Sequence, residues 1–132
     1  MEYNELNPKE VWRYFKELSE IPRCSGDEKA VSDYLVNFAK EHKLEVRQDD
    51  ALNVIMKKNA SSGCENRETV ALQAHMDMVC VKEDDSAHDF SKDPIKLLIE
   101  DEWVTADKTT LGADDGMGVA FILAIFDDDS LE

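Results

Sequence analysis

Two early segments carry apolar residues at helical spacing. In "NPKEVWRYFKEL" the positions Val11, Tyr14, Phe15 and Leu18 fall on one stripe, the pattern of a helix that buries a single face. Asn7 is placed to cap that helix, Pro8 suits its first position, and Glu10 stands where a capping box takes a carboxylate. Beyond "IPRCSGDEK", Ser25 and Glu28 repeat the capping logic ahead of a second stripe formed by Val31, Tyr34, Leu35 and Phe38. Lys40, His42 and Lys43 follow at its far end, where the last carbonyls of a helix favour positive charge, so a structural place is expected for His42.

The period then shortens. "LEVRQ" and "LNVIMKK" predict two short strands separated by a turn at Asp49, Asp50 and Ala51, and "NASSGCENRE" predicts a polar surface loop. Thr69 to Ala74 has the apolar, β-branched character of a buried strand, which ends at His75. "KEDDSAHDFSKDP" predicts an acidic loop in which His88 is solvated, and "IKLLI", "EDE" and "WVTA" predict a hairpin. After "DKTTLGADDG", Val119, Ile122, Leu123 and Phe126 return to helical spacing. The alternation of helical and strand patterns points to a single folded domain of the mixed α/β class.

Charge narrows the function. Lys and Arg total 15 against 30 Asp and Glu, a formal net charge of −15, which repels a phosphate backbone and excludes nucleic acid as a partner. Cys24, Cys64 and Cys80 are odd in number and form no C-x-x-C pair, which argues against a disulfide framework and for a reducing compartment. The N-terminal stretch "MEYNELNPKE" has no basic or apolar leader region, and no apolar run is long enough to span a bilayer. A cytoplasmic location without membrane contact is expected.

Two motifs carry candidate chemistry. His75 and Asp77 are two apart at the end of the expected strand, so an extended backbone would project them to one side, in the region beyond strand ends where α/β folds bind ligands. Taken by itself, the pair also suits a histidine held in the core beside a turn-capping aspartate. Asp114 and Asp115 in "TTLGADDG" sit at the start of the third helix, where negative charge is stabilised whether or not it serves a ligand.

Taken together, "FKELSEIPRCSGDEKAVSDYLVNFAKE", "LNVIMKK", "LQAHMDMVC", "HDFSKDPIKL" and "TTLGADDGMGVA" resemble the co-catalytic zinc metallopeptidases that include peptidase T, carboxypeptidase G and, most similar, the aminoacyl-histidine dipeptidases. The resemblance implies a three-layer αβα catalytic domain, a mixed β-sheet flanked by helices. It also implies hydrolysis of Xaa-His dipeptides by an activated water. His75 and Asp114 would be metal ligands, with Asp114 bridging two Zn²⁺ ions (Mn²⁺ or Co²⁺ as substitutes), and Asp77 would orient and polarise His75. A cis peptide bond after Asp114 is implied as well, and a homodimer of the full-length enzyme is compatible with it.

The same resemblance calls for an adjacent glutamate pair, a further aspartate and a distant histidine, none of which has a counterpart here. "DDDSLE" lacks the glutamate pair, so Asp127, Asp128, Asp129 and Glu132 are not taken as substitutes. Residues 1–132 are therefore expected to be the N-terminal portion of the catalytic domain. Ala74, Lys108 and Asp115 depart from the pattern, at the first two of which glycine is expected. Two other readings stand beside this one: a non-catalytic interaction fragment of the same fold, and a related metal-dependent amidohydrolase or tripeptidase.

Overall fold

Three apolar stripes meet in one core. The structure, a computed structural model, describes residues 3–131. A short 3₁₀ turn (Tyr3–Glu5) precedes α1 (Lys9–Ser19) and α2 (Lys29–Glu41). Two hairpins follow, β1 (Glu45–Gln48) with β2 (Val54–Lys57) and β3 (Leu97–Glu100) with β4 (Trp103–Ala106), before α3 (Ala113–Asp127). Val11, Tyr14, Phe15 and Leu18 of α1, Val31, Leu35 and Phe38 of α2, and Val119, Ala120 and Leu123 of α3 bury each other. Tyr14 meets Phe38 edge-on with ring centroids 5.5 Å apart, an arrangement that aligns ring edge with ring face.

The helix ends differ from the capping pattern. Asn7 does not cap α1: its amide donates back to the Glu5 carbonyl, and Pro8 occupies the N-cap position without a side-chain bond. Ser25 does not cap α2, whose N-cap is Glu28, because its hydroxyl is bonded to Asp77. His42 does take the structural place expected of it. Its ring stacks on Phe38 at 4.0 Å between centroids, and its Nε2 reaches Asp127 Oδ1 at 2.9 Å, tying the end of α2 to the end of α3.

Both hairpins form as the alternation predicts, antiparallel and in register from Glu45↔Lys57 to Gln48↔Val54 and from Leu97↔Ala106 to Glu100↔Trp103. Asp49 organises the first turn, its carboxylate accepting from the backbone N–H of Ala51 and of Asn53. The second turn needs a left-handed residue, and Asp101 supplies it at φ 56°; aspartate tolerates that region better than most residues.

Thr69 to Ala74 is not a strand, and the continuous mixed sheet is absent among the described residues. Each of the two ladders pairs only the strands of its own hairpin, and this segment hydrogen-bonds to neither of their open edges, so it lacks the backbone partners of a buried strand. Val70 is accordingly 79% exposed and Leu72 49%. What remains of sheet-like pairing around it is a parallel bridge between Cys24 and Met78 and an antiparallel one between Lys82 and Thr109. The α/β class holds, as helices with two small sheets.

The cysteines also depart from expectation. Cys24 and Cys80, 56 residues apart in sequence, are joined as a disulfide with Cα atoms 5.6 Å apart. Cys64 is free and buried. An odd total concealed a pair that only the fold brings together, and with that pair present the cysteines no longer argue for a reducing compartment.

The position of each apolar residue in α3 decides its energetic weight. Leu123 is fully buried and Ile125, two residues on, is 42% exposed. Leu123→Ala should cost about 2–5 kcal/mol of unfolding free energy, the range for emptying a packed site. Ile125→Ala should stay within about 0.5 kcal/mol, and urea titrations of both variants, followed by far-ultraviolet circular dichroism, check the contrast.

Candidate functional site

The loop between α1 and α2 builds one wall of the site. Arg23, Cys24 and Ser25 run alongside residues 76–78, with Met78 N–H donating to the Arg23 carbonyl at 2.9 Å and Ser25 N–H to the Met78 carbonyl at 3.1 Å. Met78 is buried at the junction. This pairing puts the Ser25 hydroxyl 2.5 Å from Asp77 Oδ2, to which it donates.

Asp77 in turn faces His75. Its Oδ1 lies 3.1 Å from His75 Nδ1, so the two residues do project to one side even though the segment is not a ladder strand. The opposite ring nitrogen, Nε2, lies 3.0 Å from Asp114 Oδ1. Ser25, Asp77, His75 and Asp114 thus form one continuous polar line.

Asp114 comes from a turn that is not yet helical. Gly112 adopts φ 74°, Asp114 and Asp115 depart from helical dihedrals, and the Asp114–Asp115 peptide bond is cis, as the family resemblance implies. Asp114 is exposed while Asp115 is turned over Gly118, where a Cβ would fall 2.8 Å from the Asp115 carboxyl carbon. The two adjacent carboxylates are thereby separated: one faces His75 and the other faces its own helix. Lys108, at the start of the segment leading into this turn, has φ 57°, a left-handed conformation for which glycine is the natural occupant.

The electrostatics follow the geometry. The Asp114 carboxylate holds the His75 pKa above its ordinary 6.5; desolvation opposes the shift and Asp77 adds to it. The Ser25 hydroxyl holds Asp77 below the ordinary 3.8, with His75 contributing. Both ring nitrogens of His75 face acceptors, so the imidazolium satisfies both; in the neutral ring, a proton kept on Nδ1 by Asp77 leaves the Nε2 lone pair directed toward Asp114.

That lone pair and the Asp114 carboxylate are a nitrogen and an oxygen donor of the kind that divalent zinc takes. Bond lengths of about 2.0–2.2 Å at a tetrahedral angle separate two such donors by roughly 3.3 Å, slightly more than the 3.0 Å here. The pair fits a metal ion as two of its ligands. Among the described residues no group of three or more His, Cys, Asp or Glu is gathered for one.

The other acidic and imidazole groups have different partners. Asp127 binds Arg13 at 2.7 Å as well as His42, and Asp129 binds Lys58 at 2.9 Å. His88 is half-buried against the edge of Phe90 rather than solvated. Ser25 and Arg23 are the site residues that the sequence pattern missed. Ser25 carried a misleading helix-cap signal, and Arg23 carried none, since its partners lie more than fifty residues away.

Comparison with known proteins places this geometry in a wider frame. No family model matches the chain. Over 130 residues, 98% of its length, the chain is 44% identical to the cytosol non-specific dipeptidase of Escherichia coli strain K12, of which it covers 27%. Its fold superposes on the crystal structure of aminoacylhistidine dipeptidase from Vibrio alginolyticus with a TM-score of 0.96 and 44% identity, over 100% of this chain and 27% of that one. A tripeptidase from Staphylococcus aureus shares the fold at a TM-score of 0.72 and 24% identity, over 92% of this chain and 32% of that one. The chain is similar to dipeptidases throughout and spans about a quarter of their length.

The His75 shift has a measurable sign. In the metal-free chain His75 should titrate above 6.5, followed by the imidazole proton signals in NMR, and Asp114→Asn should lower that value. Because the folded-state pKa is the higher one, the pairing stabilises the fold fully below pH 6.5 and loses this contribution as pH rises through the raised value. A His75 titration unmoved by Asp114→Asn would assign the shift elsewhere.

Proposed function

We propose that residues 1–132 form the N-terminal portion of the catalytic domain of a cytoplasmic, metal-dependent dipeptidase acting on aminoacyl-histidine and related dipeptides. His75 and Asp114 are its metal ligands in this reading, and Asp77 is the carboxylate that orients His75. The observation that carries it is the polar line from Ser25 through Asp77 and His75 to Asp114, with an N/O donor pair 3.0 Å apart at its open end. The similarity to dipeptidases over 98% of the chain supports it independently. Zn²⁺ is the metal that these donors suit, with Mn²⁺ or Co²⁺ as substitutes and two ions in the complete site.

Each residue has a definable task. Asp77 accepts the Nδ1 proton and so keeps the Nε2 lone pair available; Ser25 holds the second Asp77 oxygen and limits rotation of the carboxylate. Asp114 presents an exposed carboxylate beside Nε2, with room for both oxygens to act as donors toward different ions. A bound metal would lower the pKa of a water and polarise the peptide carbonyl. Moving a proton to the departing amine needs a further acid–base group, which none of these residues supplies.

In this reading the substrate is a short peptide, and neither nucleic acid nor a membrane is a partner. The net charge of −15 disfavours the first, and among the described residues no helix is long and apolar enough to cross a bilayer. A homodimer of the full-length enzyme is compatible with this assignment.

Calorimetry on the 132-residue chain tests the ligand assignment. Zn²⁺ should bind weakly, because two protein donors fall short of the three or four of an ordinary zinc site. His75→Ala should abolish the binding and His88→Ala should leave it intact; the reverse pattern sinks the assignment. The same chain, given β-alanyl-histidine and saturating Zn²⁺ or Mn²⁺, should release histidine no faster than a metal-only control. General acid–base assistance alone is worth about 10²–10⁴-fold, so turnover that Asp114→Ala removes would show that a residue of this chain supplies the base.

A further inference from the structure

Arg23 is 1% exposed, and its hydrogen bonds go to main-chain carbonyls rather than to a carboxylate. Nη1 donates to Met76 O at 3.0 Å and more distantly to Asp77 O at 3.4 Å; Nη2 donates to Gly112 O at 2.8 Å. Nε, also buried, has no partner among the described residues. A buried cation with an unsatisfied donor is a poor stabiliser, and apolar residues of similar volume commonly do as well or better in such places. Its location suggests a different service. Met76 and Asp77 belong to the segment that carries His75, and Gly112 lies two residues before Asp114.

Two glycines make room for it. A Cβ at Gly112 would lie 2.6 Å from Arg23 Nη2 and 2.8 Å from Met78 Sδ, and one at Gly116 would lie 2.6 Å from Nη2 and 3.3 Å from Cζ. The approaches of 2.6 and 2.8 Å are closer than a real Cβ comes to a neighbour, and the one at 3.3 Å is tight, so the turn bearing Asp114 is shaped around the guanidinium. The planar fork, with donors at fixed angles, reaches both segments at once; a lysine ammonium offers a single nitrogen and lacks that span.

We propose that Arg23 is a positioning residue: it ties the segment bearing His75 and Asp77 to the turn bearing Asp114 and thereby sets the separation of His75 from Asp114. Its consequence for metal binding rests on the ligand assignment above. Its geometric part does not.

The test uses the 132-residue chain with Arg23→Lys and Arg23→Ala, and with Phe38→Ala as a control of lowered stability at the far end of α2, where Phe38 packs on Tyr14 and His42. The first readout is the nuclear Overhauser contact between the His75 ring and the Asp114 side chain without metal. The second is Zn²⁺ affinity by calorimetry. Both Arg23 variants should lose the contact and bind Zn²⁺ about 10–100-fold more weakly, the usual cost of removing a group that supports a ligand, while Phe38→Ala keeps both. Gly116→Ala should weaken binding in the unaltered background and have little further effect beside Arg23→Ala, a non-additive pair as expected of groups that collide.

Retention of the His75–Asp114 contact in Arg23→Lys overturns the proposal whatever the affinity does. Loss of the contact in a chain whose Zn²⁺ binding ignores His75→Ala upholds the positioning role and removes the metal assignment instead. Should neither Arg23 variant fold, the unaltered chain decides. Scalar couplings across the hydrogen bonds from Arg23 Nη to the carbonyl carbons of Met76 and Gly112 should be present, and their absence overturns the tie.

Discussion

A buried positive charge must find acceptors, and in this chain the acceptors it finds are carbonyls on either side of the polar line. Desolvating a guanidinium costs several kcal/mol, on the order of the whole stability of a small domain, unless its donors are met. Meeting them brings residues 76, 77 and 112 to one point, and that convergence accounts for much that is otherwise arbitrary nearby. Gly112 and Gly116 lack side chains where the guanidinium lies. The first turn of α3 stays irregular through Asp115. Met78 packs under the junction, and Ser25 is delivered to Asp77 rather than to the helix that follows it.

The helical core supports this arrangement from below. Phe15 of α1 is fully buried and also lies beneath Gly116, where a Cβ would be 3.3 Å from its ring, so the same close approach of α1 and α3 that buries the core fixes where the Asp114 turn begins. His42 and Arg13 converge on Asp127 at the other end of α3. The helix that presents Asp114 is thus anchored at both ends, by apolar packing near its start and by ion pairing near its finish. Beside the site, the Cys24–Cys80 bridge adds a covalent link between the α1–α2 loop and the chain just after Asp77.

What could be read in advance depended on range. The stripes of α1, α2 and α3 and the two hairpins are local patterns, and each formed where its periodicity placed it. Thr69 to Ala74 has a strand's composition, but strand formation depends on neighbours that no local pattern records, and here the segment joins neither hairpin's open edge. His75 and Asp77 were legible as a pair because two residues of extended chain suffice to align them. Their meeting with Asp114 came from the family resemblance, not from spacing. Arg23 and the Cys24–Cys80 bridge were illegible for one reason: each depends on segments more than fifty residues away, and neither residue type announces such a partner. Ser25 shows the opposite failure, a local cap signal overridden by a carboxylate that the fold brought closer.

The outer face of α3 bears on how the isolated chain behaves in solution. Phe121 and Ile125 are exposed on it, Val70 and Leu72 are exposed along the segment that did not become a strand, and Val79 and Val81 are exposed just after Asp77. Apolar surface of this kind draws copies together, whereas a net charge of −15 holds them apart. The range of that repulsion is set by the solvent: about 30 Å at 0.01 M ionic strength, and roughly 8 Å at physiological salt. The balance between dispersed monomer and self-associated protein is therefore governed by the electrolyte as much as by the sequence, so the chain's colloidal state is a property of its buffer.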